Sequence, residues 1–191
     1  MSYKVSKFST VRFICNDIDA QQTLAVATLY KDNPDYWTSI AGSVPTAAMA
    51  GQDLVQSEEG KFPKLGLYDA QQTLIGVCFL GGDFLAPHVW HIEFFLVSEA
   101  LRGSGASTEI FAGLEQWILS QGGQWLRLGC VTTDERALRF WNKQGFTDLG
   151  IWQGRILDKP VHLQLKWKSL SGGSLADYFQ VVPNDRVGYE A

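Results

Sequence analysis

Six consecutive residues, Arg102-Gly103-Ser104-Gly105-Ala106-Ser107, have the composition of an anion-binding turn. Glycines at 103 and 105 permit positive φ and let the backbone approach a ligand closely. Apolar residues then recur at helical spacing, Ile110, Phe111, Leu114, Trp117 and Ile118, which predicts a helix over 105–121. A helix start presents unpaired N–H groups and the positive end of its dipole, and together these hold phosphate. Just upstream, His91 and Glu93 stand in the apolar run Trp90–Val97. That run reads as a strand, and alternation puts His91, Glu93 and Phe95 on one face. A carboxylate among aromatic rings is desolvated, which moves it towards the range of a general base. Glu93 can equally pair with a lysine or arginine across the sheet, and both readings stay open.

These residues need a scaffold, and the chain supplies one in order. Val11–Cys15 reads as a strand, followed by a helix that Asp17 or Asp19 caps and Asn33-Pro34 ends. Tyr36-Trp37 opens an aromatic stretch with the look of a mobile loop. Thr46 caps a second helix reaching about Gln56, and Ser57–Lys61 is a polar loop. Lys64–Tyr68 and Thr73–Leu80 flank a four-residue polar loop and read as a hairpin. After the strand and helix already described, Trp125–Val131 is a further strand. Thr132 and Glu135 have capping-box spacing for a helix running to Gln144, where Gly145 stops it. Phe146–Gln153 and Val161–Lys168 read as two last strands, with Lys166 and Lys168 on a solvated face. Ser169–Ser174 is a Gly/Ser linker, and Leu175–Ala191 an appendage. The order β-α-α-β-β-β-α-β-α-β-β is a mixed α/β fold. One domain over 1–168, followed by a linker and appendage over 169–191, is the expected organisation.

Composition narrows the partners. A chain of 191 residues with 46% apolar and 19% charged residues is long enough for a sizeable core. A formal net charge of -4 disfavours nucleic acid or an anionic membrane, both of which select a basic face. No apolar run reaches the roughly 18 residues of a membrane helix, and the N-terminal stretch lacks a signal-peptide core. Cys15, Cys78 and Cys130 sit in separate strand-like runs without metal-ligand spacing, as reduced core residues of a cytoplasmic protein do.

Three phosphate sites use glycine turns. A P-loop requires G-x-x-x-x-G-K-[ST], which is absent. A dinucleotide fingerprint requires a third glycine and an acid on the next strand, and Ala106-Ser107-Thr108 and Trp125–Val131 provide neither. The third is a resemblance. Arg102–Ser107 resembles the Q/R-x-x-G-x-G/A pyrophosphate loop of the GCN5-related N-acetyltransferases, with Ser107 at the last position. The segment from Arg136 to Phe146 is similar to that family's A-x-x-F-Y/W-x-x-x-G-F signature. The resemblance spans roughly residues 9–168.

This resemblance implies a central, mostly antiparallel sheet splayed between its fourth and fifth strands, Trp90–Val97 and Trp125–Val131, and flanked by about four helices. It implies that acetyl-CoA is the co-substrate, with no metal, and that acetyl passes directly to a primary amine. The acceptor is a small molecule, peptide or protein. Phe95, Leu96 and Val97 would offer main-chain contacts to the pantetheine arm, and Leu96 or Val97 an oxyanion donor. Arg102, Gly103, Ser104, Gly105, Ala106 and Ser107 would hold the pyrophosphate. Asn142 would touch CoA, Asp134 would either touch CoA or favour its helix dipole, and Glu93 would be the base. Tyr36 and Trp37 would wall the acceptor pocket. Many relatives carry a general-acid tyrosine where this chain has Trp141, whose indole has no usable acidity, so no acid is assigned. A homodimer fits the family habit. A non-catalytic acyl-CoA-binding sensor is the alternative.

Overall fold

The computed structural model describes residues 7–55, 62–157 and 159–185. Eight strands form one sheet: β1 (Phe8–Ser9), β2 (Ile14–Asp17), β3 (Lys64–Tyr68), β4 (Leu74–Gly81), β5 (Val89–Val97), β6 (Trp125–Val131), β7 (Thr147–Ile156) and β8 (Lys159–Ser169). Their spatial order is β1-β2-β3-β4-β5-β6-β8-β7. All neighbours are antiparallel except β5 and β6. Six helices are described: α1 (Thr23–Lys31), α2 (Pro34–Ala41), α3 (Ala47–Asp53), α4 (Ala106–Ser120), α5 (Glu135–Lys143) and α6 (Leu175–Val181).

Helices cover both faces of the sheet. Ile110, Phe111, Leu114 and Ile118 of α4 and Trp141 of α5 share a core with Trp90, Ile92, Leu126 and Leu128. On the other face Val26, Leu29 and Tyr30 of α1 and Trp37 and Ile40 of α2 pack with Val77, Phe79 and Leu96. Tyr178 of α6 is fully buried with Val89, Trp125 and Trp167, so part of the stretch read as an appendage joins the sheet.

Several local expectations change. The strand expected over Val11–Cys15 is β2, which begins at Ile14, with Val11 exposed, and runs through Asn16 and Asp17, which pair with Gly66 and Leu65. Sheet pairing outweighs the turn preference of Asn-Asp. Tyr36-Trp37 lies in helix α2, not a mobile loop. Pro34 occupies its N1 position and Gly42 ends it in the left-handed conformation. Asp134, rather than Thr132, caps α5, accepting from the Ala137 N–H at 3.0 Å. Lys166 is 1% exposed rather than solvated, and it pairs with Asp148. Lys168 pairs with Glu115. Thr46 caps α3 as expected; Gln56 and the loop 57–61 lie outside the described residues.

Candidate active site

The site begins where pairing between two strands stops. β5 and β6 run in register from Val89↔Trp125 to Ile92↔Leu128, and no further. Beyond that point β5 stays paired with β4 as far as Val97, and β6 stays paired with β8 as far as Val131. Two strand edges therefore face each other across a gap. A cleft of about 680 Å³ occupies it. Its lining comes from both faces of the sheet: Phe95, Ala137 and Trp141 on the α4/α5 side, and Tyr36, Trp37 and Phe94 on the other.

A β-bulge sets this geometry. Phe79 pairs with Phe94, but Leu80 pairs with Ile92, so Glu93 is the extra residue. The bulge reverses the alternation expected for β5. Trp90 and Ile92 face α4 before it, and Phe95 and Val97 face α4 after it. His91 and Phe95 are thus on opposite faces, contrary to the even alternation the sequence suggested.

Main-chain direction follows from the same register. Ser98 N–H donates to Ile75 O at 2.8 Å across the β4 edge. By antiparallel alternation Leu96 also turns towards β4, whereas Phe95 and Val97 present N–H and C=O to the open edge. Of the three residues expected to offer backbone contacts, Phe95 and Val97 turn their main-chain groups to the open edge and Leu96 turns its own to β4. Gly129, Cys130 and Val131 form the facing wall. Burial pushes the Cys130 thiol up to about 12, so it is no nucleophile.

The glycine turn lies at the start of α4. Gly103 and Gly105 have φ of +75° and +79°. A Cβ built on Gly103 would meet nothing within 4 Å, and one on Gly105 only the tip of Arg12, so the space outside the turn is open. Gly105 is the N-cap and provides no side-chain acceptor. Ser104 Oγ accepts from the Ala106 N–H at 3.3 Å and donates to Leu101 O at 2.7 Å, which fixes the turn. Ala106 is buried and Ser107 half-buried in the first turn. The Arg102 side chain pairs with Glu99 at 2.7 Å and lies 3.9 Å from Asp35. Arg12, unremarked in sequence, donates to Ser104 O at 3.3 Å and is held by Glu109 at 2.6 Å. Thr10 and Arg12 bond the Glu109 carboxyl and hold it down at about 2.

Other candidates fall in different places. Glu93 lines the cleft, but a third of its side chain is exposed and it pairs with Lys64 at 3.4 Å. It is not enclosed by aromatic rings as the sequence reading pictured. Asn142 is exposed on α5 and accepts from Lys166 Nζ at 2.7 Å. His91 lines the cleft, stacked on Phe84 at 4.5 Å. Burial, with the Arg127 charge beside it, lowers its pKa to about 4. Trp141 is buried among Phe95, Phe111, Phe140 and Phe146 as an aromatic plug.

Besides Arg12, two groups that line the cleft escaped the sequence reading. Arg127 lines the cleft from β6 and makes a two-pronged pair with Asp185, at 2.7 and 2.8 Å. Asp53, at the end of α3, accepts from Tyr30 Oη at 3.0 Å and also lines the cleft. An arginine in the middle of the apolar strand WLRLGCV was the available signal for the first, because a buried charge demands a partner. Nothing local marked Asp53.

The comparisons agree with this architecture. The model of the acetyltransferase (GNAT) family matches residues 26–146. The fold is similar to that of an acetyltransferase from Thermus thermophilus (TM-score 0.72, 15% identity, covering 84% of this chain and 98% of that one). It is also similar to a GNAT-family acetyltransferase from Bacillus anthracis (TM-score 0.68, 14% identity, 85% and 98% covered). A third likeness is to the ribosomal-protein-S5-alanine acetyltransferase from Vibrio fischeri (TM-score 0.68, 14% identity, 89% and 99% covered). No curated protein matches the sequence.

Proposed function

The chain belongs to the GNAT family of acetyltransferases, and from that premise we propose that it transfers acetyl from acetyl-CoA directly to a primary amine. The observation that carries the reading is the cleft through the sheet where β5 and β6 part. One strand edge offers unpaired main-chain groups at Phe95 and Val97, and aromatic and acidic side chains stand on the far face.

The residues present suit an acyl-CoA. The N–H groups at the start of α4, with Gly103 and Gly105 leaving the approach clear, form a cradle for the pyrophosphate. The N–H of Phe95 or Val97 is placed to pair with the amide-bearing arm and to donate to the carbonyl oxygen as it gains charge. When bound there, acetyl-CoA supplies an electrophilic thioester carbon. Arg102 and Asn142 already have protein partners, so the backbone does most of the holding.

Glu93 is the proposed proton acceptor, directly or through water. It is the carboxylate nearest the splay by position, being the bulge residue next to the last paired residue, Ile92. In the transfer an N–C bond forms as the C–S bond breaks, the amine proton passes to Glu93, and the sulfur departs as thiolate. No side chain is assigned as general acid, because Trp141 cannot donate a proton of use and a thiolate leaves readily.

A thiol-release assay over a panel of primary amines tests the reading. Turnover with at least one amine is expected. Acetyl-CoA binding with no turnover on any amine would instead favour a sensor module, and failure to bind acetyl-CoA would overturn both.

A further inference from the structure

The acceptor half of the cleft has a chemical character of its own. Tyr30, Trp37, Phe79 and Phe94 form a continuous ring cluster. Tyr30 and Trp37 lie 4.7 Å apart by centroid, Trp37 and Phe94 5.4 Å, and Phe79 and Phe94 5.5 Å. All four line the cleft. Asp53 and Glu93 line it with them, as does Asp134, which caps α5, and Lys64 pairs with Glu93.

Resting on the amine-transfer reading, we infer that the acceptor is a small primary amine on an aromatic body. Charge and shape agree on this class. An ammonium group is attracted by Asp53 and Glu93 and by the faces of the rings. An aromatic body packs against Trp37 and Phe94 in tilted or offset fashion. A polyamine is a poorer match, because Lys64 offsets one of the carboxylates. A peptide backbone is also a poorer match. The cleft's about 680 Å³ must admit the acyl arm as well, and the space left suits a small molecule. Asp53 is fixed by Tyr30 Oη and stands where burial raises its carboxyl above the usual range.

The test measures kcat/KM with acetyl-CoA for 2-phenylethylamine, tyramine, spermidine and an alanine-ended peptide. The two arylalkylamines are expected to exceed spermidine and the peptide by at least about tenfold. Asp53→Asn should raise the amine KM about tenfold and leave the KM for acetyl-CoA unchanged. Spermidine or the peptide as best substrate overturns the inference and leaves amine transfer standing. No turnover with any amine, while acetyl-CoA binds, takes down the parent reading and this one with it.

Discussion

Removing the carboxylate of Asp185 is the sharpest probe of how the cleft is anchored. Asp185 is 4% exposed and its partner Arg127 only 12%. Three bonds converge on the carboxylate: Arg127 Nε at 2.7 Å, Arg127 Nη2 at 2.8 Å and Tyr178 Oη at 2.5 Å. Asp185→Ala leaves a buried guanidinium without its anion and a buried phenol without its acceptor. Breaking a buried pair from one side costs about 3–5 kcal/mol, because the surviving charge remains desolvated. For a chain of this size each kcal/mol lowers Tm by about 2–4 °C, so Tm should fall by roughly 6–20 °C. Circular dichroism melts and urea titrations of wild type and variant read this directly.

The same geometry predicts a rescue. Replacing both partners with apolar residues, Arg127→Met with Asp185→Leu, removes the uncompensated charge and should recover most of the loss. Tyr178 would still lack its acceptor, so recovery is expected to be incomplete by about 1 kcal/mol. The reasoning is refuted if Asp185→Ala costs less than about 1 kcal/mol, well below the range for a broken buried pair. It is refuted equally if the double variant is no more stable than the single one, since the loss would then not arise from a stranded charge.

Three further outcomes follow from the site. Gly105→Glu should abolish acetyl-CoA binding by calorimetry, because its +79° φ strains any side chain and a carboxylate would enter the anion cradle; unchanged affinity would show that the turn has another role. Glu93→Gln should lower kcat about a hundredfold at neutral pH with little change in acetyl-CoA affinity, whereas an unaltered pH–rate profile would remove Glu93 as base. Stability should fall on acidification in two windows. His91 is held down at about 4 in the fold, against an ordinary 6.5, so the unfolded chain takes up the proton first and stability is lost from about pH 6.5 towards 4. That loss is at most about 3 kcal/mol. Glu109, held at about 2, adds a loss from about pH 4.5 down to 2. His91→Phe should flatten the upper window in urea titrations, and an unchanged slope there would assign it to another group.

The glycine turn, helix α4 and strand β6 were legible in sequence because each depends on local spacing. Positive φ selects glycine at 103 and 105, and a 3.6-residue apolar period selects a helix whatever it packs on. What stayed hidden depends on partners remote in sequence. Lys166 alternates with apolar residues like a solvated strand residue, and only the packing of β7 and Asp148 against it makes it buried. Tyr178 is a lone tyrosine until Trp125 and Trp167 close around it. Gly113 costs helix propensity in sequence; in the fold a Cβ there would come within 2.8 Å of Phe8, so the glycine lets α4 lie close against strand β1 at the edge of the sheet.

The bulge at Glu93 is the feature that neither composition nor periodicity could supply, and it joins the two halves of the site. One extra residue against β4 turns the β5 side chains over. As a result Phe95 reaches the α4/α5 face, where it meets Phe140 and Trp141, and Phe94 reaches the opposite face, where it meets Tyr30 and Trp37. Pairing with β6 ends at the residue before the bulge. An unbroken alternation would have continued the parallel ladder and closed the gap through which the two faces communicate. The same residue thus opens the cleft by its backbone and offers a carboxylate to it by its side chain. These two roles are separable, because Glu93→Gln keeps the backbone and removes only the charge.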